Sequence, residues 1–185
     1  SGNFGTAVFS QVPLSNVRFG IGHESLDKEG RVITAEVGDD AFIWSYVPCS
    51  RWDDEEHRSI MRKEYDSRFF EYYGEVQTVT TGNVFSFGDH NIAPTNGDCS
   101  SWMVKESVKP WPSCKPVERS AHARLKEKYG LTDVYEHMHE DLKANRTNGD
   151  ANKKHFTWHT KLNVARGTQD GCMRLDMMLA PEKAM

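Results

Sequence analysis

The 185-residue sequence has no long apolar run, no secretory signal and no excess of positive charge. Without a stretch of about 20 apolar residues, a membrane-spanning helix is not expected. The net charge of −4 excludes a global basic field of the kind that drives unspecific binding to nucleic acid. A nucleic-acid function would therefore need a local basic patch or a metal ion.

Cysteines are few, and none forms a C-x-x-C pair or has the spacing of zinc ligands. They are Cys49, Cys99, Cys114 and Cys172. We interpret them as reduced thiols of an intracellular protein. The sequence also has no initiator Met, and strand-like residues follow its first residues directly. We therefore expect a processed, excised or partially built product.

The composition, with 37% hydrophobic and 27% charged residues, is that of one globular domain over residues 1–185. Alternating apolar residues predict strands over 6–10, 31–37, 41–47, 84–87, 156–159 and 173–179. Helical spacing predicts helices over 53–73, ended by Gly74, and over 117–129, ended by Gly130. Loops are expected over 95–116 and 145–154. Strands mixed with helices and hairpins indicate a layered α/β domain rather than a doubly wound parallel sheet.

The most informative segment is the run Gly88-Asp89-His90-Asn91-Ile92-Ala93-Pro94, which follows an apolar, strand-like stretch. Residues i and i+2 of an extended backbone point to the same face, so Asp89 and Asn91 are expected to share one space. A carboxylate beside an uncharged donor suits a base or metal ligand together with a transition-state donor. The alternative interpretation is a strand that ends in a polar turn.

Further short motifs occur in order along the chain. They are Gly20-Ile21-Gly22, Asp27-Lys28-Glu29-Gly30-Arg31-Val32-Ile33, Tyr46-Val47-Pro48, Gly130-Leu131-Thr132-Asp133 and Arg174-Leu175-Asp176. With the Gly88-Asp89 run, this series resembles the exonuclease III type of apurinic/apyrimidinic (AP) endonuclease, in the endonuclease/exonuclease/phosphatase superfamily.

The resemblance implies a four-layered α/β sandwich with two packed, mostly antiparallel or mixed β-sheets, incomplete at both termini. It also implies a phosphodiesterase of base excision repair that uses Mg²⁺ or Mn²⁺. Its substrate would be double-stranded DNA, cleaved 5′ to an abasic site, with 3′ exonuclease as a side activity.

The resemblance also assigns roles to individual residues. Asp89 would activate the attacking water or protonate the leaving oxygen, and Asn91 would donate to the phosphoryl oxygen. Both would help to hold the metal ion. Tyr46 would donate a hydroxyl to the same oxygen, and Asp176 would orient a histidine. Trp158 and Met173 would line the pocket for the flipped-out sugar.

Several positions depart from the family pattern. Cys49 stands where the family usually has Asn, and Met173 stands near a family Trp. The acidic run Asp53-Asp54-Glu55-Glu56 replaces an Arg/Gly-rich stretch and would repel phosphate. The family's N-terminal strands, with its main metal ligands, and its terminal S-D-H segment have no counterpart in residues 1–185.

These departures leave alternatives open. Tyr46 could be a core tyrosine with a satisfied hydroxyl, and Asp176 a structural residue that acts as a cap or pairs with Arg174. The whole chain could be a catalytically inactive remnant that acts as a structural or interaction subunit of a larger assembly. We expect an intracellular protein of the nucleus, mitochondrion or plastid, without membrane association, whose fold another polypeptide could complete.

Overall fold

The computed structural model describes residues 4–51, 55–105, 110–164 and 167–185. The strands are β1 Ser15–Phe19, β2 Val32–Val37, β3 Asp40–Tyr46, β4 Val84–Asp89, β5 Leu131–Asp133, β6 Trp158–Val164, β7 Gly167–Met173 and β8 Asp176–Pro181. The α-helices are α1 Glu24–Asp27, α2 Glu55–Val79, α3 Ser101–Lys105, α4 Pro116–Tyr129, α5 Val134–Met138 and α6 Glu140–Ala144. Short 3₁₀ segments cover Asn96–Asp98, Gly149–His155 and Glu182–Ala184.

Six strands form one mixed sheet in the order β1-β2-β3-β4-β8-β5, and β6 and β7 form a separate hairpin. Among the described strands, only β3 and β4 run parallel, because α2 carries the chain back between them. The expected mixed α/β architecture with two sheets is confirmed, and the second sheet has two strands within the described residues. No described helix combines the length and the apolar character needed to cross a membrane.

The main core lies between one face of the six-stranded sheet and the helices α2 and α4. Along β3, Ala41 and Ile43 are fully buried on this face, as the period of two requires. Tyr65 and Tyr73 of α2 pack against them, and Leu125 of α4 joins the same cluster. This packing fixes α2 beneath the ends of β3 and β4.

The predicted strand at residues 6–10 is wrong. Thr6 bonds to the turn before β2 through its amide and hydroxyl, but no ladder continues beyond it. Phe9 is 97% exposed, so the apolar residues of this segment bury too little surface to fix a strand. The edge of β2 that faces away from β3 pairs with β1 instead. The sequence of β1 has no clear alternating pattern.

The predicted helix end at Gly74 is also wrong, because α2 continues to Val79. A Cβ at Gly74 would come within 2.5 Å of the Tyr129 hydroxyl oxygen. That hydroxyl donates to the Phe70 carbonyl at 2.8 Å. The glycine is therefore explained by the close packing of α4 on α2 and not by a helix cap.

The segments expected to be loops are more ordered than the sequence indicates. Residues 95–116 contain α3, and 145–154 run into a 3₁₀ segment. Asn152 is fully buried and donates to the carbonyls of Gly97 and Asn145 at 3.1 Å each. The single strand predicted for 173–179 is two strands, since Met173 ends β7 and Asp176 begins β8.

Candidate active site

The carboxyl ends of β3 and β4 bring the first two candidate residues together. Because these strands are parallel neighbours, Tyr46 and Asp89 are direct register partners. The Val47 amide then donates to the Asp89 carbonyl at 2.8 Å, which is the last bond of this ladder. Gly88 has a φ of 130°, and a Cβ there would collide with the Ser45 carbonyl oxygen. Only glycine allows this close approach of the two strands.

Asn91 joins the site by a different geometry from the one expected. Its φ is 45°, so the backbone turns into the left-handed region instead of staying extended. The Asp89 carboxylate accepts the Asn91 amide at 2.8 Å and its side-chain nitrogen at 3.2 Å. The same nitrogen donates to the Val47 carbonyl at 2.7 Å. The amide nitrogen that the resemblance assigns to a phosphoryl oxygen is therefore engaged within the protein here.

Asp176 lies on the other side of Asp89. The two residues are direct partners across the antiparallel pair of β4 and β8, so two carboxylates face each other. The pairing of Asp176 with Arg174 is wrong. Arg174 bonds to Asp98 and Asp133 at 2.7 Å each and is fully buried with them.

The environment of Asp89 favours its protonated form. Burial, with a smaller contribution from the nearby charge of Asp176, raises the pKa of this carboxyl to about 6, against the hydrogen bond from the Asn91 amide. A carboxyl with a pKa near neutrality can both accept and return a proton at physiological pH. This matches a general base or general acid.

All but one of the predicted site residues line a single open cavity of about 560 Å³. Tyr46, Asp89 and Asn91 line it from the ends of β3 and β4, and Trp158 and Met173 from the β6–β7 hairpin. Asp176 is not among the lining residues. The other lining residues are Phe4, Arg31, Cys49, Arg51, Arg58, Trp111, Pro112, Ser113 and Leu175.

Three of these lining residues, Arg31, Arg51 and Arg58, are cations that the sequence prediction missed. Arg31 lies over the ring of Tyr46, with 4.7 Å between its Cζ and the ring centroid, and donates to the Tyr46 carbonyl at 3.0 Å. Glu29 binds it from the other side at 2.6 Å. Glu29 also pairs with Arg58 at 3.6 Å, so the positive charge that these arginines bring to the cavity is partly neutralised. The signal was present in the motif that includes Arg31.

The apolar wall of the cavity is built by a strand pair and a loop. Trp158 and Met173 are register partners on β6 and β7, and Met173 is buried. Trp111 comes from the segment predicted as loop, and its ring meets that of Trp102 edge to face at 5.6 Å. Of the acidic run noted in the sequence, Asp53 and Asp54 lie outside the described residues.

The residues at the strand ends fit a hard divalent cation in part. Asp89 and Asp176 offer carboxylate oxygens, and the engaged nitrogen of Asn91 leaves its amide oxygen as a third donor. Among the described residues no group of three His, Cys, Asp or Glu could enclose an ion. Mg²⁺ is commonly held by one or two carboxylates, with water and substrate phosphate at the remaining positions. Such an ion would neutralise the facing carboxylates.

Comparisons with known proteins agree with this geometry, although no family model matches the sequence. The chain is 32% identical over 143 residues to an exodeoxyribonuclease of Bacillus subtilis. It is 27% identical over 146 residues to a DNA-(apurinic or apyrimidinic site) endonuclease of Dictyostelium discoideum. These matches cover 77% and 79% of this chain. The chain spans only 54% and 39% of the two relatives.

A solved structure of an AP endonuclease from Archaeoglobus fulgidus superposes with a TM-score of 0.65 at 21% identity. The superposition covers 92% of this chain and 60% of that one. Sequence motifs, sheet topology and structural neighbours thus agree on one architecture. The chain carries the central part of the fold of the exonuclease III-type AP endonucleases.

Proposed function

We propose that this chain forms the catalytic centre of a Mg²⁺- or Mn²⁺-dependent phosphodiesterase that cleaves DNA 5′ to an abasic site. The single observation that carries the proposal is the convergence of Tyr46, Asp89 and Asn91 on one cavity. Phosphodiester cleavage gathers negative charge on non-bridging oxygens, so it needs aimed donors and a cation rather than a protein nucleophile.

In this proposal each side chain has a separate task. The Asp89 carboxylate takes a proton from the attacking water. The Tyr46 hydroxyl donates to the phosphoryl oxygen, and Arg31 holds the Tyr46 ring in place. Asp89, Asp176 and the Asn91 amide oxygen would hold the cation. When bound, the cation supplies Lewis-acid stabilisation of the phosphoryl oxygens.

The cavity walls support DNA as the substrate class. Arg51 and Arg58 place positive charge at one side, where phosphates of a DNA backbone could bind. Trp158 and Met173 offer an apolar surface that matches a sugar without its base. The same arrangement would admit the terminal nucleotide of a 3′ end. The cavity would therefore also support 3′ exonuclease activity.

Two further expectations belong to this proposal. The fold would be completed by strands from another polypeptide or from a longer form of the protein, since the matches cover only 54% and 39% of the two relatives. The protein would act where DNA is held, in the nucleus, a mitochondrion or a plastid.

The test is cleavage of a labelled duplex with one tetrahydrofuran abasic analogue, in Mg²⁺ and in excess EDTA. We expect a nick 5′ to the analogue that requires Mg²⁺. Asp89→Asn should lower kcat by about 10² to 10⁴, because it removes the general base.

Asp39→Asn is the matched control, since Asp39 is exposed at the opposite end of β3 and should leave kcat unchanged. A duplex without the analogue controls for lesion dependence. The proposal fails if no Mg²⁺-dependent nick forms, or if Asp89→Asn nicks as fast as the parent. The first of these outcomes would favour the inactive remnant.

A further inference from the structure

Arg62 of α2 is a buried cation that reaches the ends of both site strands from beneath. Only 3% of it is exposed. Its Nη1 donates to the Asn91 carbonyl at 2.7 Å and to the Pro48 carbonyl at 3.1 Å. Pro48 follows Tyr46 by two residues, and Asn91 follows Asp89 by two. One guanidinium nitrogen therefore joins the segments that carry three predicted site residues.

The charge on Arg62 is itself held in place. Its Nε contacts both carboxylate oxygens of Asp66, one helical turn further on, at 2.9 Å each. Although burial opposes ionisation, Asp66 and Glu118 outweigh it and raise the pKa of the Arg62 guanidinium. Arg62 thus remains a cation with a fixed orientation. The planar guanidinium can bind acceptors on two sides at once, which an ammonium group cannot do with the same geometry.

The carbonyls that Arg62 binds lie where the sheet no longer determines the backbone. The ladder between β3 and β4 ends at Tyr46 and Asp89. Asn91 has a φ of 45°, a conformation that a non-glycine residue holds only when its surroundings fix it. The Asn91 amide donates to the Asp89 carboxylate, and its side-chain nitrogen donates to the Val47 carbonyl. Its own carbonyl accepts from Arg62. Arg62 does not line the cavity.

We propose that Arg62 is a positioning residue: it clamps the Pro48 and Asn91 carbonyls together and thereby sets the distance between Tyr46, Asp89 and Asn91. The inference rests on the proposed function for its catalytic consequence, but the clamp itself can be measured without activity. Arg62 acts through the backbone and touches neither substrate nor reacting atoms.

The test compares Arg62→Lys with Arg62→Met. The lysine variant keeps a cation beside Asp66 and Glu118 and should fold. It cannot reproduce the two carbonyl bonds and the contact with Asp66 together. We expect its kcat on the abasic duplex to fall by about 10², with KM within about twofold, because a displaced catalytic group costs rate more than affinity. Arg62→Met should lower kcat further.

Arg68→Lys and Arg68→Met are the matched controls. Arg68 lies on the same helix but pairs with Glu75 at its surface, at 2.6 Å. Both controls should keep the parental kcat and KM.

Amide hydrogen exchange, followed by NMR in the absence of substrate, measures how strongly Arg62 restricts local opening at the strand ends. In Arg62→Lys, the amides of Val47, His90 and Asn91 should exchange about tenfold faster or more, while those in the middle of α2 and β3 keep their rates. The Val47 and Asn91 amides donate to Asp89, and the His90 amide, between Asp89 and Asn91 in the chain, donates to the Leu175 carbonyl.

Unchanged exchange at these three amides would overturn the inference, as would a kcat within twofold of the parent. Faster exchange throughout α2 and the sheet would also overturn it, because Arg62 would then contribute only to global stability. If the parent protein does not cut the abasic duplex, the proposed function fails, and the exchange rates still decide whether Arg62 is a clamp.

Discussion

At the residue scale, two histidines are buried beside the candidate site without the partners that such groups usually have. His90 and His122 meet edge to face with 6.1 Å between their ring centroids. Within the described residues, Nε2 of each ring has no hydrogen-bond partner. Burial and the positive charge of Lys126, Arg62 and Arg174 lower the pKa of His122 well below 6.5. The folded protein therefore holds His122 as a neutral ring.

This arrangement predicts acid sensitivity. The unfolded chain protonates His122 near pH 6.5, whereas the folded chain does not, so the unfolded state binds the extra proton. Stability should be full above about pH 6.5 and decline as the pH falls, by about 1.4 kcal/mol per pH unit for one such group. In His122→Leu, the free energy of unfolding should fall by about 1.4 kcal/mol less per pH unit than in the parent. Urea unfolding between pH 7 and pH 4.5 measures this.

His57→Leu is the control, because His57 is exposed on α2 and should leave the slope as it is. A parental slope retained in His122→Leu would show that other groups cause the acid sensitivity.

The sequence was sufficient to predict that Tyr46, Asp89 and Asn91 lie close together. It did not predict the backbone conformation that brings them together. The Gly88–Pro94 run was sufficient to place Asp89 and Asn91 in one space. The left-handed backbone of Asn91 could not be predicted from the sequence, because asparagine adopts both extended and left-handed backbone, and the bonds to Asp89 and Val47 decide between them. The cations Arg51 and Arg58 could not be recognised as site residues, since both lie outside the motifs that carry the resemblance.

At the element scale, the contact between α2 and α4 explains an apparent helix breaker. Gly74 lies inside α2, where Tyr129 packs over it and against the rings of Phe70 and Tyr73. Glycine normally weakens a helix interior by about 1 kcal/mol relative to alanine. The structure tolerates that weakness because it lets α4 approach closely.

Gly74→Ala should therefore destabilise the protein by about 1 kcal/mol, despite the better helix propensity of alanine, because the new Cβ displaces the Tyr129 hydroxyl. In the Tyr129→Phe background, where that oxygen is absent, the same change should be neutral or stabilising. Thermal or urea unfolding of the four proteins gives the double-mutant cycle. A purely additive result would contradict the steric explanation.

Elements with strong periodicity were predictable from the sequence, and those fixed by distant partners were not. The strands β2, β3 and β4 and the helix α4, capped by Gly130 with a φ of 58°, are confirmed with small shifts of their ends. The break between β7 and β8 was missed. Arg174 leaves the strand there to reach two acidic residues, which no local pattern reveals.

At the scale of the whole molecule, the facing carboxylates of Asp89 and Asp176 lead us to predict that a divalent cation raises the stability of the protein. Ions that bind the folded state stabilise it by mass action. If Mg²⁺ binds with a dissociation constant of about 1 mM, then 10 mM should add roughly 1.4 kcal/mol and raise the unfolding temperature by a few degrees. Calorimetry with MgCl₂ against NaCl of equal ionic strength checks this.

Asp176→Asn should be more stable than the parent without Mg²⁺, since it removes the repulsion, and should gain less from the ion. An equal gain in the variant and the parent would place the ion elsewhere.

The global architecture was predictable only through ordered motifs. Periodicity alone indicated a layered α/β domain, whereas the motif series indicated the particular fold that the structure and its relatives share. The sequence did not reveal that β8 would lie between β4 and β5, since strand order depends on contacts remote along the chain.

The Arg174 network has a consequence for how the chain reaches this state. Its guanidinium is neutralised by acids that lie 76 and 41 positions away along the polypeptide. A partly folded intermediate in which Arg174 is buried before both acids pair with it would contain an unpaired charge in an apolar interior. Such intermediates are unfavourable. We therefore expect the buried triad to form late in folding and to couple three stretches that are remote along the chain.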